Sequence, residues 1–182
     1  MENLTKNDQS WKEAQNLVAE FLQKHEYAIK QEFTLKSGKR IDIIGIKKIN
    51  NQFLHVLIEV KDWNTVTRKK EMEFSKQIIQ YIVEYSLEES IKVSNKEKWK
   101  RKESDLRDMF VGILCLTKDA HFSFRKISQH FITKNKNILG IPLREQIAEN
   151  ISLFVSRFDF LPRVFQELGQ PLYKQEKLLD WL

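Results

Sequence analysis

Two apolar runs in this chain each carry a carboxylate where strand chemistry least favours one. Ile41-Asp42-Ile43-Ile44-Gly45-Ile46 and Leu57-Ile58-Glu59-Val60-Lys61 are rich in β-branched residues and lie either side of Asn50-Asn51, a turn signal. They read as an antiparallel hairpin of strands over 40–48 and 52–63. An Asp in mid-strand is disfavoured by propensity and an unpaired buried charge is costly, so Asp42 has to be exposed, paired or bound to a cation. Alternation along a strand puts Glu59 and Lys61 on one face, with Cα atoms about 6.6 Å apart, and turns Ile58 and Val60 into a core. Taken singly, each feature has a plain explanation: Asp42 on a solvent-facing edge, Glu59 and Lys61 as an exposed ion pair. Together they ask for more. A turn near Asn50-Asn51 brings Asp42 and Glu59, 17 positions apart, side by side. Two carboxylates at one point repel, a divalent cation relieves the repulsion, and Lys61 beside them can orient or deprotonate a water. Hard oxygen donors suit Mg²⁺, and the set suits phosphodiester hydrolysis by a metal-activated water.

The rest of the chain reads as alternating helices and strands. Ser10 and Glu13 have the spacing of a capping box, and Ala14, Leu17, Val18, Phe21 and Leu22 follow helical spacing to about His25. QEFTLK (31–36) reads as a strand ending at the turn Ser37-Gly38. Phe74, Ile78, Tyr81, Ile82 and Tyr85 mark a helix over 66–89, followed by a charged insert over 90–108. FVGILCLTK (110–118) reads as a buried strand, with a helix after it over 119–133. The tail from Asn135 reads as short helices. The order α-β-β-β-α-β-α plus a helical tail is a mixed α/β layer architecture, divided here into a core over 1–134 and a helical C-terminal extension over 135–182.

Composition narrows the functional classes. Apolar residues make up 41% and charged residues 31%, with 31 basic against 25 acidic, a net charge of +6 that favours an anionic partner such as nucleic acid. The single Cys115 rules out an intrachain disulfide or a Cys-based zinc or iron–sulfur site, and reads as a buried core thiol. His25, His55, His121 and His130 lack metal-ligand spacing, although His55 shares the Glu59 strand face. There is no P-loop, no Gly-rich dinucleotide motif and no Ser-His-Asp elbow. A polar N-terminus and the lack of any apolar run near the ~20 residues that span a bilayer predict a soluble, cytoplasmic protein without a membrane. Arg68, Lys69 and Lys70 open the second long helix and are candidates for binding DNA phosphates, or equally a solvated charge cluster.

RIDIIG followed by LIEVKDW resembles the D…(D/E)-x-K signature of the PD-(D/E)XK, or restriction-endonuclease-like, nucleases. FLQKHEYAI resembles the end of the first helix in resolvase-like and Mrr-like members, and Gln77-Ile78-Ile79-Gln80-Tyr81 the Q-x-x-x-Y element of RecB-like branches. The resemblance covers Trp11 to Thr133. It implies an αβββαβ core with a mixed central sheet flanked by helices. It also implies Mg²⁺, with Mn²⁺ able to substitute, held by Asp42, Glu59 and the Val60 carbonyl, with Lys61 positioning the attacking water. Gln77 and Tyr81, on one helix face, would stand near the site. Where many members carry a Glu on the first helix this chain has Gln15, a weaker ligand, which puts a second metal in question. The activity implied is a DNA endonuclease of restriction, phage defence, mobile elements or repair, with an RNase of the same fold as an alternative. The alternative is a non-catalytic or partner-dependent nucleic-acid-binding subunit. Phe154, Phe158, Phe160, Leu161 and Phe165 of the extension form an aromatic cluster that either packs on the core or makes a homodimer or partner interface.

Overall fold

The computed structural model describes residues 6–49, 52–63, 65–96, 108–117, 124–128 and 150–168. Helix α1 (Lys6–Lys24) is followed by strands β1 (Ala28–Thr34), β2 (Arg40–Ile49) and β3 (Gln52–Lys61), helix α2 (Arg68–Lys96), and strands β4 (Met109–Leu116), β5 (Phe124–Lys126) and β6 (Ile151–Arg157). A 3₁₀ turn (Phe158–Phe160) then leads into a short helix α3 (Leu161–Glu167). The six strands form one open mixed sheet in the order β1-β2-β3-β4-β6-β5. The first three are antiparallel, β3-β4 and β4-β6 are parallel, and β5 returns antiparallel to β6. The chain is therefore α/β, with an αβββαβ order up to β4.

Both faces of the sheet are covered. Val18, Phe21 and Leu22 of α1 and Leu161, Val164 and Phe165 of α3 pack with Ile43, Val56, Ile58 and Val60 on one side. Phe74, Ile78, Ile82 and Tyr85 of α2 pack with Ile44, Leu57, Leu114 and Leu153 on the other. With helices on both faces, β3 and β4 are buried along almost their whole length; β4 reads as an unbroken apolar run, and the buried stretch of β3 is interrupted by the polar His55 and Glu59. Cys115 is a core residue, and burial pushes its thiol up to about 12. No helix among the described residues is long and apolar enough to cross a membrane.

Several elements depart from the sequence reading. Helix α1 begins at Lys6, so Ser10 lies inside it and is not its cap. Strand β1 starts three residues earlier and ends two residues earlier than expected. Helix α2 runs on to Lys96, through the start of the expected charged insert, while 97–107 lie outside the described residues. Residues 124–126, expected in a helix, form an edge strand. The largest correction is in the tail: Ile151–Arg157 is a strand bonded in parallel to β4 and not a helix. The segment 150–168 thus belongs to the sheet and its packing layer, while 135–149 and 169–182 lie outside the described residues. Of the aromatic cluster, Phe154, Leu161 and Phe165 are buried in the chain's own core. Among the described residues, Leu17 and Met72 are the exposed large hydrophobics.

Candidate active site

The hairpin closes as its sequence demands. Ile49 pairs with Gln52, and the register runs to Ile43↔Ile58, where the β2-β3 ladder ends; the expected turn at 50–51 lies outside the described residues. One further step sets Asp42 opposite Glu59. There the strands part, and the Asp42 side chain takes over the backbone's role: its Oδ2 accepts the Val60 N–H at 2.8 Å. The ladder on the other side of β2 breaks at the same place. Glu32, opposite Asp42 in the β1-β2 register, makes no ladder pair and has φ +49°, a left-handed conformation rare for a residue with a side chain. Ile41 and Ile43, which an ideal strand would place on one face, belong to opposite core clusters, so β2 turns over at Asp42. The end of the β3 ladder on one side and the single missing pair to β1 on the other free a mid-strand Asp to face a site.

Asp42 and Glu59 are almost wholly buried, at 6% and 4% exposure. Lys61, on the same strand face as Glu59, holds its Nζ 3.7 Å from Glu59 Oε2 and keeps 38% of its side chain exposed. Glu59 Oε1 has no hydrogen-bond partner although it is buried. Burial, and then the charge of Asp42, raise the Glu59 carboxyl to about 7, with Lys61 pulling the other way. The Asp42 carboxyl is also raised, by burial first, against the opposing Val60 N–H and the charges of Lys61 and Arg40. The three residues singled out from the sequence therefore form one cluster, and it is short of positive charge.

Tyr81, on α2, faces this cluster from the second layer. Burial raises its phenol first, the Gln77 hydrogen bond opposes this, and the charges of Glu59 and Asp42 add to the rise. The Gln77 side-chain amide donates to the Tyr81 hydroxyl one turn along the helix. Gln15, on α1, is 3% exposed with its Nε2 unpartnered. Trp11, one turn before it, donates from Nε1 to the Val60 carbonyl at 3.3 Å, so this face of α1 meets the end of β3. Arg68, Lys69 and Lys70 are the first residues of α2, with Arg68 and Lys69 exposed. Lys70 Nζ stands 4.5 Å over the Trp63 ring, and Lys69 is 4.0 Å from Glu73. His55 is not part of the cluster. Its ring is buried, 2.9 Å from the Tyr85 hydroxyl and 3.1 Å from Asp108, and stacked on Phe110. It fastens β3 to α2 and to the start of β4.

Two residues near the site were not legible beforehand. Nothing in the sequence neighbourhood of Trp11 marks it for its contact with Val60. Glu32 adds to the rise of the Asp42 carboxyl and pairs at 3.9 Å with Arg40, but no sequence signal announces a positive φ at a Glu.

Among the described residues no group of three or more His, Cys, Asp or Glu is placed to hold a metal ion. The donors that do come together are two carboxylates and the carbonyl of Val60. Comparison with protein-family models, with curated proteins and with solved structures found no match.

Proposed function

We propose that the chain is a Mg²⁺-dependent nuclease of the PD-(D/E)XK type, with DNA as its substrate and Asp42, Glu59 and Lys61 as its catalytic residues. One observation carries the reading: the buried, unpartnered Glu59 Oε1 beside Asp42. An orphaned carboxylate oxygen in the interior costs free energy unless something positive meets it. The oxygen-only donor set of Asp42, Glu59 and Val60 fits Mg²⁺ or Mn²⁺ and suits no soft metal. Two carboxylates leave coordination positions open, as a reactive site requires. Bound there, the cation supplies Lewis acidity toward a phosphoryl oxygen and toward water.

The remaining work falls to the chain's own groups. Asp42 is fixed by the Val60 N–H, so its free oxygen keeps one direction. Lys61 is exposed enough to meet substrate and close enough to Glu59 to hold a water against the phosphate, and it adds positive charge where negative charge grows. Tyr81, its hydroxyl held by Gln77, closes the α2 side of the site. Arg68, Lys69 and Lys70 load the positive end of a helix dipole with further cations, an unfavourable placement that phosphate groups would reverse.

Incubating supercoiled plasmid, single-stranded DNA and RNA with the wild type, Glu59→Ala and Lys61→Ala tests this. Mg²⁺- or Mn²⁺-dependent cleavage of DNA is expected, absent in EDTA and in Glu59→Ala, and slowed about 10²–10⁴-fold in Lys61→Ala. Faster cleavage of RNA would reassign the substrate. No cleavage of any substrate by the wild type would leave a nucleic-acid-binding subunit that keeps the fold without the activity.

A further inference from the structure

The end of β3 offers the site a third oxygen, and a residue outside the carboxylate cluster holds it. The β2-β3 ladder stops at Ile43↔Ile58, so the Val60 N–H and C=O find no backbone partner on β2. The N–H goes to Asp42 and the C=O to the Trp11 indole. Both polar groups of one residue are thus satisfied by side chains from different elements, inside the gap that exposes the carboxylates. Trp11 is itself fixed. Its ring lies under the Arg40 guanidinium at 5.8 Å, and Arg40 reaches back to Glu32 at 3.9 Å, beside the one unpaired position of the β1-β2 ladder. A line of contacts Glu32–Arg40–Trp11–Val60 therefore braces the opened sheet from the α1 side.

We propose that Trp11 is a positioning residue for the cation site: its indole N–H fixes the Val60 carbonyl so that the oxygen's second lone pair is presented beside Asp42 and Glu59. The inference rests on the metal-dependent reading above and deepens it. A carbonyl oxygen has two lone pairs, so one hydrogen bond leaves the other available for a cation. The β4 ladder holds this peptide from one side, but on the β2 side no ladder bond meets the carbonyl, and without the indole N–H its oxygen has no partner there to fix its finer direction. Outer partners of this kind, which orient a ligand without touching the metal, are commonly worth 10–100-fold in metal affinity.

The sequence permits a direct test. Val60-Lys61 is its only Val-Lys step, so protein labelled with ¹³C-carbonyl valine and ¹⁵N-lysine gives one carbonyl–amide correlation, that of Val60. Titration of Mg²⁺ into the wild-type protein should shift this resonance. Trp11→Phe keeps a ring but removes the N–H. It should shift the Val60 resonance in the metal-free protein and weaken Mg²⁺ binding about tenfold or more, with the fold retained by circular dichroism. Should Trp11→Phe fail to fold, benzothienylalanine placed at position 11 by amber suppression keeps the Trp shape without the N–H, and the same loss is expected. An unchanged Mg²⁺ midpoint in either variant would overturn the proposal, as would Mg²⁺ binding that moves the Lys61 side-chain signals and leaves the Val60 carbonyl unmoved. Absence of any Mg²⁺ binding by the wild type would overturn the metal-dependent reading itself, and this inference with it.

Discussion

Glu59→Gln is expected to be more stable than the wild type at pH 8 in the absence of divalent metal, while having no nuclease activity. The Glu59 carboxyl is raised from its ordinary 4.5 to about 7, by burial first and by Asp42 second. The folded protein therefore holds this proton where the unfolded chain has released it. For a raised pKa the linked stability is full below the unfolded value and is lost as pH rises through the folded one. The loss accumulates from pH ~4.5 to pH ~7 and is complete above, at about 3 kcal/mol by linkage. Gln keeps the shape of Glu without the charge, so the variant's advantage should be near zero at pH 4.5 and greatest above pH 7. Denaturant melts of both proteins at pH 5 and pH 8 in EDTA measure it. A wild type equal to or more stable than the variant at pH 8 would mean that Lys61, or a further partner within the chain, offsets the cost of burying the Glu59 charge. Adding Mg²⁺ at pH 8 should raise the Tm of the wild type and leave that of Glu59→Gln where it was, because only a ligand that binds the folded state stabilises it.

The second large effect concerns the seat of α2. Gly112, in mid-β4, leaves room for Ile78 and Leu153: a Cβ there would stand 2.7 Å from Ile78 Cγ1 and 2.8 Å from Leu153 Cδ2. These are contacts that real Cβ atoms do not make, and both neighbours are fully buried. Gly112→Ala must therefore move the Ile78 and Leu153 side chains, and Ile78, met at its Cγ1 close to the backbone, presses on α2, at a cost of about 1–3 kcal/mol, with Tm falling about 2–4 °C for each kcal/mol. Ile78 is the immediate neighbour of Gln77 and lies three residues before Tyr81, so a shift of α2 moves the second layer of the site as well. Activity should fall by more than the folded fraction explains. Gly45→Ala is the internal comparison. Its Cβ would meet Leu22 Cδ1 and Tyr27 Cδ1 at 3.2 Å, a contact that small side-chain movements relieve, and the milder loss belongs there. Equal melting temperatures for Gly112→Ala and the wild type would contradict the packing of Ile78 on β4.

The parts of this fold that were legible in the sequence are those fixed by local rules. Strands β2 and β3 announce themselves by β-branched content and by the Asn50-Asn51 turn between them. Once the turn is placed, the register brings Asp42 and Glu59 together with no further information. Helix α2 follows from its apolar spacing. What was not legible depends on partners far along the chain. Ile151–Arg157 has the composition of a short buried strand, but REQIAEN just before it reads as helix. Only the free edge of β4 tells the segment what to be. Residues 124–126 become a strand because β6 is there to pair with. At the site, chemistry-bearing residues on the hairpin could be named because strand alternation places them. Trp11 could not, since its meeting with Val60 depends on how α1 lies across the end of β3. Nor could the break at Glu32, where a left-handed backbone is imposed on a residue type that does not advertise it.

Mn²⁺ binding followed by electron paramagnetic resonance at pH 8 tests, without reference to any substrate, whether Asp42 and Glu59 together hold a divalent cation. The wild type should bind Mn²⁺ in competition with Mg²⁺, and binding should be lost in Glu59→Gln and in Asp42→Asn, both of which stay folded by circular dichroism. A wild type that binds no Mn²⁺, or variants that bind it as well as the wild type does, would contradict the claim.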